Sequence, residues 1–181
     1  MPIVNTHKNV QEYYSKTIKK TSDLKTNACC TLNKPPSYIT EKLRNIHSNI
    51  LSSYYGCGLI MPSCLKSTKI LDLGCGTGRD VYLLSQLSGN TGHVIGIDMT
   101  DEQLHTARQY KQYHMDICSP HISKVEFKKC NIERLDELQL SAGSFDVIVS
   151  NCVINLCMNK ESVLKEIYKL LKDGGEFYFS D

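Results

Sequence analysis

The sequence predicts an α/β fold in which a parallel sheet carries helices on both faces. Three observations point there. From residue 69 onward, short apolar runs alternate with segments of helical periodicity. The run Phe145–Ser150 (FDVIVS) is apolar enough to be buried on both sides, as strands of parallel sheets are. An apolar run also leads straight into a glycine loop, Ile70-Leu71-Asp72-Leu73-Gly74-Cys75-Gly76-Thr77-Gly78. The acidic residue Asp98 closes the next apparent strand twenty residues past Gly78.

The elements follow in order. Residues 1–36 are polar and end on Pro35-Pro36. Within them Val10–Lys19 predicts a short helix and Asp23–Thr31 a loop. Ser37 is a candidate cap for one helix running through Ile39, Leu43, Ile46, His47, Ile50 and Leu51, which share a face at helical spacing. Tyr54-Tyr55-Gly56-Cys57-Gly58 reads as a loop. Strands are predicted at Lys69–Leu73, His93–Ile97, Val125–Lys128, Phe145–Ser150 and Glu176–Ser180. Helices are predicted from about Arg79 to Leu87, from Thr100 to about His114, and over Lys160–Leu171. Thr100 suits the N-cap of the second of these, with Asp101 and Glu102 at its positive end. Asp173-Gly174-Gly175 is expected to end the third.

Composition narrows the function classes. Net charge is +2, so nothing in the balance calls for nucleic acid or an anionic membrane as partner. Residues 1–15 lack the apolar core of a signal peptide, and no stretch approaches the ~18 apolar residues of a membrane span. The expectation is a soluble cytoplasmic protein. Nine cysteines without a secretory signal argue against a purely structural disulfide framework. No Cys-x-x-Cys pair occurs, and no histidine stands at ligand spacing beside a cysteine, which argues against structural zinc.

Glycines after a strand let backbone approach a ligand closely, and a carboxylate closing the second strand suits the two hydroxyls of a ribose. The spacing is Gly-x-Gly-x-Gly, where dinucleotide proteins place a pyrophosphate on Gly-x-Gly-x-x-Gly. Asp72 adds a carboxylate beside the loop. It would repel a phosphate and attract an ammonium group. The pattern therefore favours S-adenosylmethionine over NAD or ATP. Asp72, Gly74, Gly76, Gly78, Asp98 and its neighbour Met99 form the candidate cofactor set, with Asn151 at the end of the fourth strand. Ile132, with Asn131 or Glu133, suits adenine, although a plain strand-to-helix loop accounts equally for those residues.

The cysteines divide. Cys64, Cys75, Cys118 and Cys130 read as small buried hydrophobes. Cys152 follows the fourth strand, at the sheet edge where open α/β folds bind ligands, and either packs there or faces the donor methyl. Cys157 reads as incidental. Cys29, Cys30 and Cys57 lie in polar or glycine-rich loops, as passengers or as reactive thiols suited to a soft acceptor.

The segments DLKTNACCT (23–31), YYGCGL (54–59), ILDLGCGTGRDVYLLSQL (70–87), GIDMTDEQL (96–104), SFDVIVSNCVINL (144–156) and GGEFYFSD (174–181) together resemble the arsenite methyltransferase family, close to its animal members. The resemblance covers residues 10–181 and implies a Rossmann-like class I methyltransferase fold. It implies methyl transfer from S-adenosylmethionine to trivalent arsenic, with glutathione or thioredoxin as reductant. On matching positions, Cys152 would be an arsenic ligand, and Cys57 and Cys29 relay cysteines that exchange disulfides. Asp72 and the three glycines would hold the methionine end, with Tyr55 against it. Asp98 would hold the ribose, and Ile132 and Glu133 the adenine.

The family continues past the fifth strand with an antiparallel strand pair and a region bearing another arsenic-ligating cysteine. The chain is therefore expected to be an amino-terminal portion, lacking the last two strands of the sheet. Its domains would be a cysteine-bearing extension with a helix, 1–68, and a cofactor-binding domain, 69–181. Glu176–Ser180 would be an uncovered apolar edge, and cofactor binding and arsenite turnover would be weak. Two other functions compete. One is methyl transfer to another small soft nucleophile, such as a thiol or selenide. The other is a non-catalytic protein that sequesters arsenic or binds the cofactor.

Overall fold

The computed structural model describes residues 35–54, 56 and 58–181. The expected helix Val10–Lys19 and the positions Cys29, Cys30, Tyr55 and Cys57 lie outside the described residues. Five strands form one sheet: β1 (Lys69–Leu73), β2 (His93–Asp98), β3 (Lys124–Lys129), β4 (Phe145–Asn151) and β5 (Leu171–Ser180). Their spatial order is β3-β2-β1-β4-β5, and every neighbouring pair is parallel. The helices are α1 (Ser37–Arg44), α2 (Ser48–Leu51), α3 (Arg79–Ser88), α4 (Asp101–Gln109), α5 (Lys111–Cys118) and α6 (Lys160–Leu170). Two 3₁₀ turns occupy Ile132–Leu138 and Ile154–Leu156.

Successive side chains of a strand point to opposite faces, so each face of the sheet acquires its own core. On one face Ile70, Val94, Val125, Val147 and Val149 pack with Val81 and Leu84 of α3 and with Ile39 and Ile50 of α1 and α2. On the other, Leu71, Leu73, Ile95, Ile97 and Ile148 pack with Val163, Ile167 and Leu170 of α6. The predicted arrangement, a parallel sheet sandwiched by helices, is the observed one.

Three boundaries differ from expectation. The single helix expected from Ser37 to Leu51 is two, because His47 is extended and its Nδ1 accepts the Asn49 N–H, which caps a fresh turn. Ser37 is the first residue of α1 and makes no cap, as Pro36 precedes it. The helix expected from Thr100 to His114 breaks at Tyr110, and Thr100 contributes no side-chain cap. Asp173-Gly174-Gly175 does turn the chain, but inside β5. Leu171 already pairs with Phe145, and the register resumes at Glu176 opposite Val147. The turn glycines are thus a bulge in the strand. The outer part of β5 is largely exposed, and Phe177 and Phe179 stack on each other with centroids 5.1 Å apart. No helix is long and apolar enough to cross a membrane among the described residues.

Cysteine burial follows the sequence in part. Cys75 and Cys130 are buried, whereas Cys118 is half-buried and Cys64 is exposed. Cys64 lies in a loop before β1.

His114 ties α5 to the rest of the molecule. It is fully buried and stacks on Tyr82 with ring centroids 3.7 Å apart. Its Nδ1 pairs with the Tyr110 carbonyl at 2.7 Å, while the His47 N–H donates to its Nε2 at 3.2 Å. Both nitrogens are satisfied only in the neutral Nδ1–H form. Burial lowers its pKa to about 4. In the unfolded chain the ring titrates near its ordinary 6.5, so that state binds more protons between the two values. The stabilisation is therefore complete above the unfolded value and is lost as pH falls towards 4. We expect urea midpoints to fall across that interval by an amount worth about 3 kcal/mol. A His114 resonance titrating near 6.5 in the folded protein would overturn this assignment.

Candidate functional site

The sheet order changes direction between β1 and β4, where chain connections leave on opposite sides and open a crevice at the carboxyl ends. A cleft of about 1080 Å³, open solvent at its mouth included, occupies that crevice. Among its lining residues are Asp72, Gly74, Gly76, Asp98, Met99, Ile132, Glu133, Asn151 and Cys152. Nearly every candidate read from the sequence within the described residues thus lies on one surface. Gly78 stands just behind, as the residue that caps α3.

The glycine loop turns because its glycines take left-handed conformations, with φ of 76° at Gly74 and 53° at Gly76. A Cβ on Gly74 would stand 2.4 Å from Val153 Cγ2. At Gly76 a Cβ would meet only Gln103 Oε1, at 3.8 Å, so glycine there leaves the cleft open. The Gly74 and Cys75 N–H groups donate to the Ile97 carbonyl at 2.8 and 2.9 Å, which docks the loop on β2.

Asp98 completes the docking. Its Oδ2 accepts from Gly76 N–H and its Oδ1 from Thr100 N–H, each at 2.9 Å. Burial raises its pKa, while these backbone donors pull the other way. Asp72 is only 3% exposed, and its Oδ2 has no hydrogen-bond partner among the described residues. Burial pushes its pKa well above the usual carboxylate range, and the nearby charges of Asp80 and Asp98 add to this. A buried acceptor facing a cleft without a donor is an unmet demand for one.

Side chains that the sequence reading passed over frame the other wall. Arg79 pairs with Asp80 at 2.7 Å, and its guanidinium lies 3.2 Å over the Tyr54 ring. Asn151 Nδ2 donates to Tyr54 Oη at 2.6 Å, to the Gly58 carbonyl at 3.0 Å and to Asp80 Oδ2 at 3.3 Å. Burial raises the Tyr54 pKa further, keeping the phenol neutral. This network clasps the loop around Gly56 and Gly58 onto the cleft. Its traces in the sequence are the Arg-Asp pair opening the helix after the glycine loop and Asn151 at the end of the fourth strand.

At the far end, the residues read either as an adenine contact or as a plain loop form a 3₁₀ turn. Asn131 caps it, accepting the Glu133 N–H at 3.0 Å. Glu133 Oε1 in turn accepts the Asn159 N–H at 2.5 Å. Cys157, expected to be incidental, has a free thiol that lines the cleft, and burial, with Glu133 nearby, pushes its pKa up to about 11. It follows the 3₁₀ turn at Ile154–Leu156.

Cys152 takes a left-handed backbone conformation, with φ of 55°, and donates its N–H to the Ser180 carbonyl at 2.7 Å. Its sulfur is disulfide-bonded.

Comparison with known proteins accords with this geometry. Residues 65–181 match the family model for a methyltransferase domain. The chain is 51% identical to an arsenite methyltransferase of Mus musculus over 97% of its own length and 47% of that protein's. It is 50% identical to one from Aquipseudomonas alcaligenes, over 97% of the chain and 50% of the relative. The chain thus spans about half the length of the curated relatives it matches. Among solved structures it resembles CrArsM, an arsenic(III) S-adenosylmethionine methyltransferase from Chlamydomonas reinhardtii. The TM-score is 0.78 at 39% identity, covering 82% of this chain and 50% of the other. The family match spans more than half of the chain and takes in the whole sheet with its glycine loop, and on that ground the chain belongs to the methyltransferase domain family.

Proposed function

We propose that this chain takes part in methyl transfer from S-adenosylmethionine to trivalent arsenic. The observation that carries the proposal is the placement of Cys152 in the same cleft as the glycine loop and the unsatisfied Asp72 carboxylate. The cleft fits the cofactor. Asp72 offers a buried acceptor to an ammonium group, and the absent Cβ at Gly76 leaves room for a ligand against the backbone. Asp72, Asp80 and Asp98 outnumber the cation Arg79, which suits a ligand carrying two positive centres. When bound, S-adenosylmethionine supplies an electrophilic methyl group on a sulfonium.

In this assignment Asp72 with Gly74, Gly76 and Gly78 holds the methionine end. Tyr55, which lies outside the described residues, is assigned to that end by the sequence resemblance, and Met99 and Asn151 would line the approach. Asp98 receives the ribose, and Ile132 and Glu133 the adenine. Cys152 as thiolate would hold trivalent arsenic with the arsenic lone pair turned towards the methyl group that the cofactor would supply. No general base is needed, because the attacking pair carries no proton. Holding the two reactants in line can supply ~7–11 kcal/mol of the barrier. The disulfide at Cys152 must be reduced first, a task for glutathione or thioredoxin, with Cys57 and Cys29 relaying the exchange. Residues 69–181 would form the cofactor-binding domain and 1–68 the cysteine-bearing extension. The setting would be cytoplasmic and the substrate a small arsenical, with no nucleic-acid partner.

Calorimetry on the reduced chain, with arsenite and S-adenosylmethionine added separately, tests this, followed by speciation of the arsenic after mixing. Binding of both and appearance of methylated arsenic is the expected result. Arsenite binding alone would favour sequestration. Cofactor binding with methylation only of thiols or selenide would favour another soft acceptor.

A further inference from the structure

The loop that carries Cys152 is held by the end of β5. The Ser180 carbonyl accepts the Cys152 N–H at 2.7 Å. One residue on, Asp181 Oδ2 accepts the Asn155 N–H at 3.1 Å. Asn155 lies within the Ile154–Leu156 turn that follows Cys152.

This grip matters because Cys152 is a non-glycine residue with positive φ. Such a conformation persists only where its surroundings over-determine it. Here Ser180 holds it from one side and the Asp181-anchored turn from the other. We infer that Asp181 is a positioning residue, fixing the direction in which Cys152 presents its sulfur to the cleft.

The inference rests on Cys152 being the arsenic ligand. Its test uses the reduced chain with Asp181→Ala, Asp181→Asn and Cys152→Ser. The readouts are arsenite affinity by calorimetry, amide hydrogen exchange over residues 152–156, and melting temperature. Asp181→Ala should weaken arsenite binding about tenfold or more and speed exchange at Asn155. Asp181→Asn should recover most of the affinity, because its amide oxygen still accepts from backbone N–H. If Cys152→Ser abolishes arsenite binding while Asp181→Ala leaves it intact, the positioning role is overturned alone. If Cys152→Ser itself changes nothing, the underlying assignment fails and this inference with it. Equal losses in both Asp181 variants, together with a large fall in melting temperature, would mark a general structural defect and also overturn it.

Discussion

Replacing Cys152 with serine is expected to reduce arsenite methylation by about a thousandfold or more while leaving S-adenosylmethionine affinity within about threefold. Trivalent arsenic is soft and prefers thiolate to hydroxyl. Without the sulfur, the acceptor is no longer held in line with the methyl group. Losing about 4 kcal/mol of an orientational advantage of ~7–11 kcal/mol corresponds to that factor. Cofactor affinity should survive, because the glycine loop docks on Ile97 and Asp98 without help from Cys152. The wild-type chain should also show a requirement for thiol reductant, since Cys152 is disulfide-bonded in the resting structure. Both results are read by arsenic speciation after timed incubation. Full activity in Cys152→Ser would remove arsenic from the proposed function and favour a different soft nucleophile.

Asp98→Ala should weaken S-adenosylmethionine binding by about a hundredfold or more. The side chain has two tasks. It ties Gly76 and Thr100 in place through their N–H groups, and it is the acid proposed to receive the ribose. Charge-assisted hydrogen bonds are worth about 1.5–3 kcal/mol each, so loss of the carboxylate disorders the loop and removes a ligand contact together. Asp98→Asn should fall between. One amide oxygen can keep the Gly76 N–H, but the amide nitrogen then meets the Thr100 N–H as donor against donor. Equilibrium dialysis with labelled cofactor measures both variants. An Asp98→Ala protein that binds as tightly as wild type would show the acid to be a structural tie only.

The glycine loop and Asp98 were legible in the sequence because their roles follow from local backbone needs. A strand that must turn at once into a helix calls for glycines at positive φ, and an acid at the next strand's end lies beside them in any parallel pair. The sandwich of helices around the sheet was legible for a similar reason, since alternation and helical periodicity are properties of short segments. The place of Cys157 on the cleft wall was not legible, because it follows a 3₁₀ turn that spacing alone does not announce. Arg79, Asp80 and Tyr54 were missed because their clasp joins residues more than twenty positions apart. Cys64 was expected to be buried by its residue type, but burial is decided by what else covers the position.

The sequence by itself determined the fold class, the glycine cradle and the acids flanking it, because each depends on neighbours along one segment. Only the tertiary structure decided which cysteines face the cleft, which carboxylate lacks a partner, and that the end of β5 grips the Cys152 loop. Those facts depend on long-range packing between β1, β4 and β5, and no local pattern encodes the direction in which a side chain will meet a distant one.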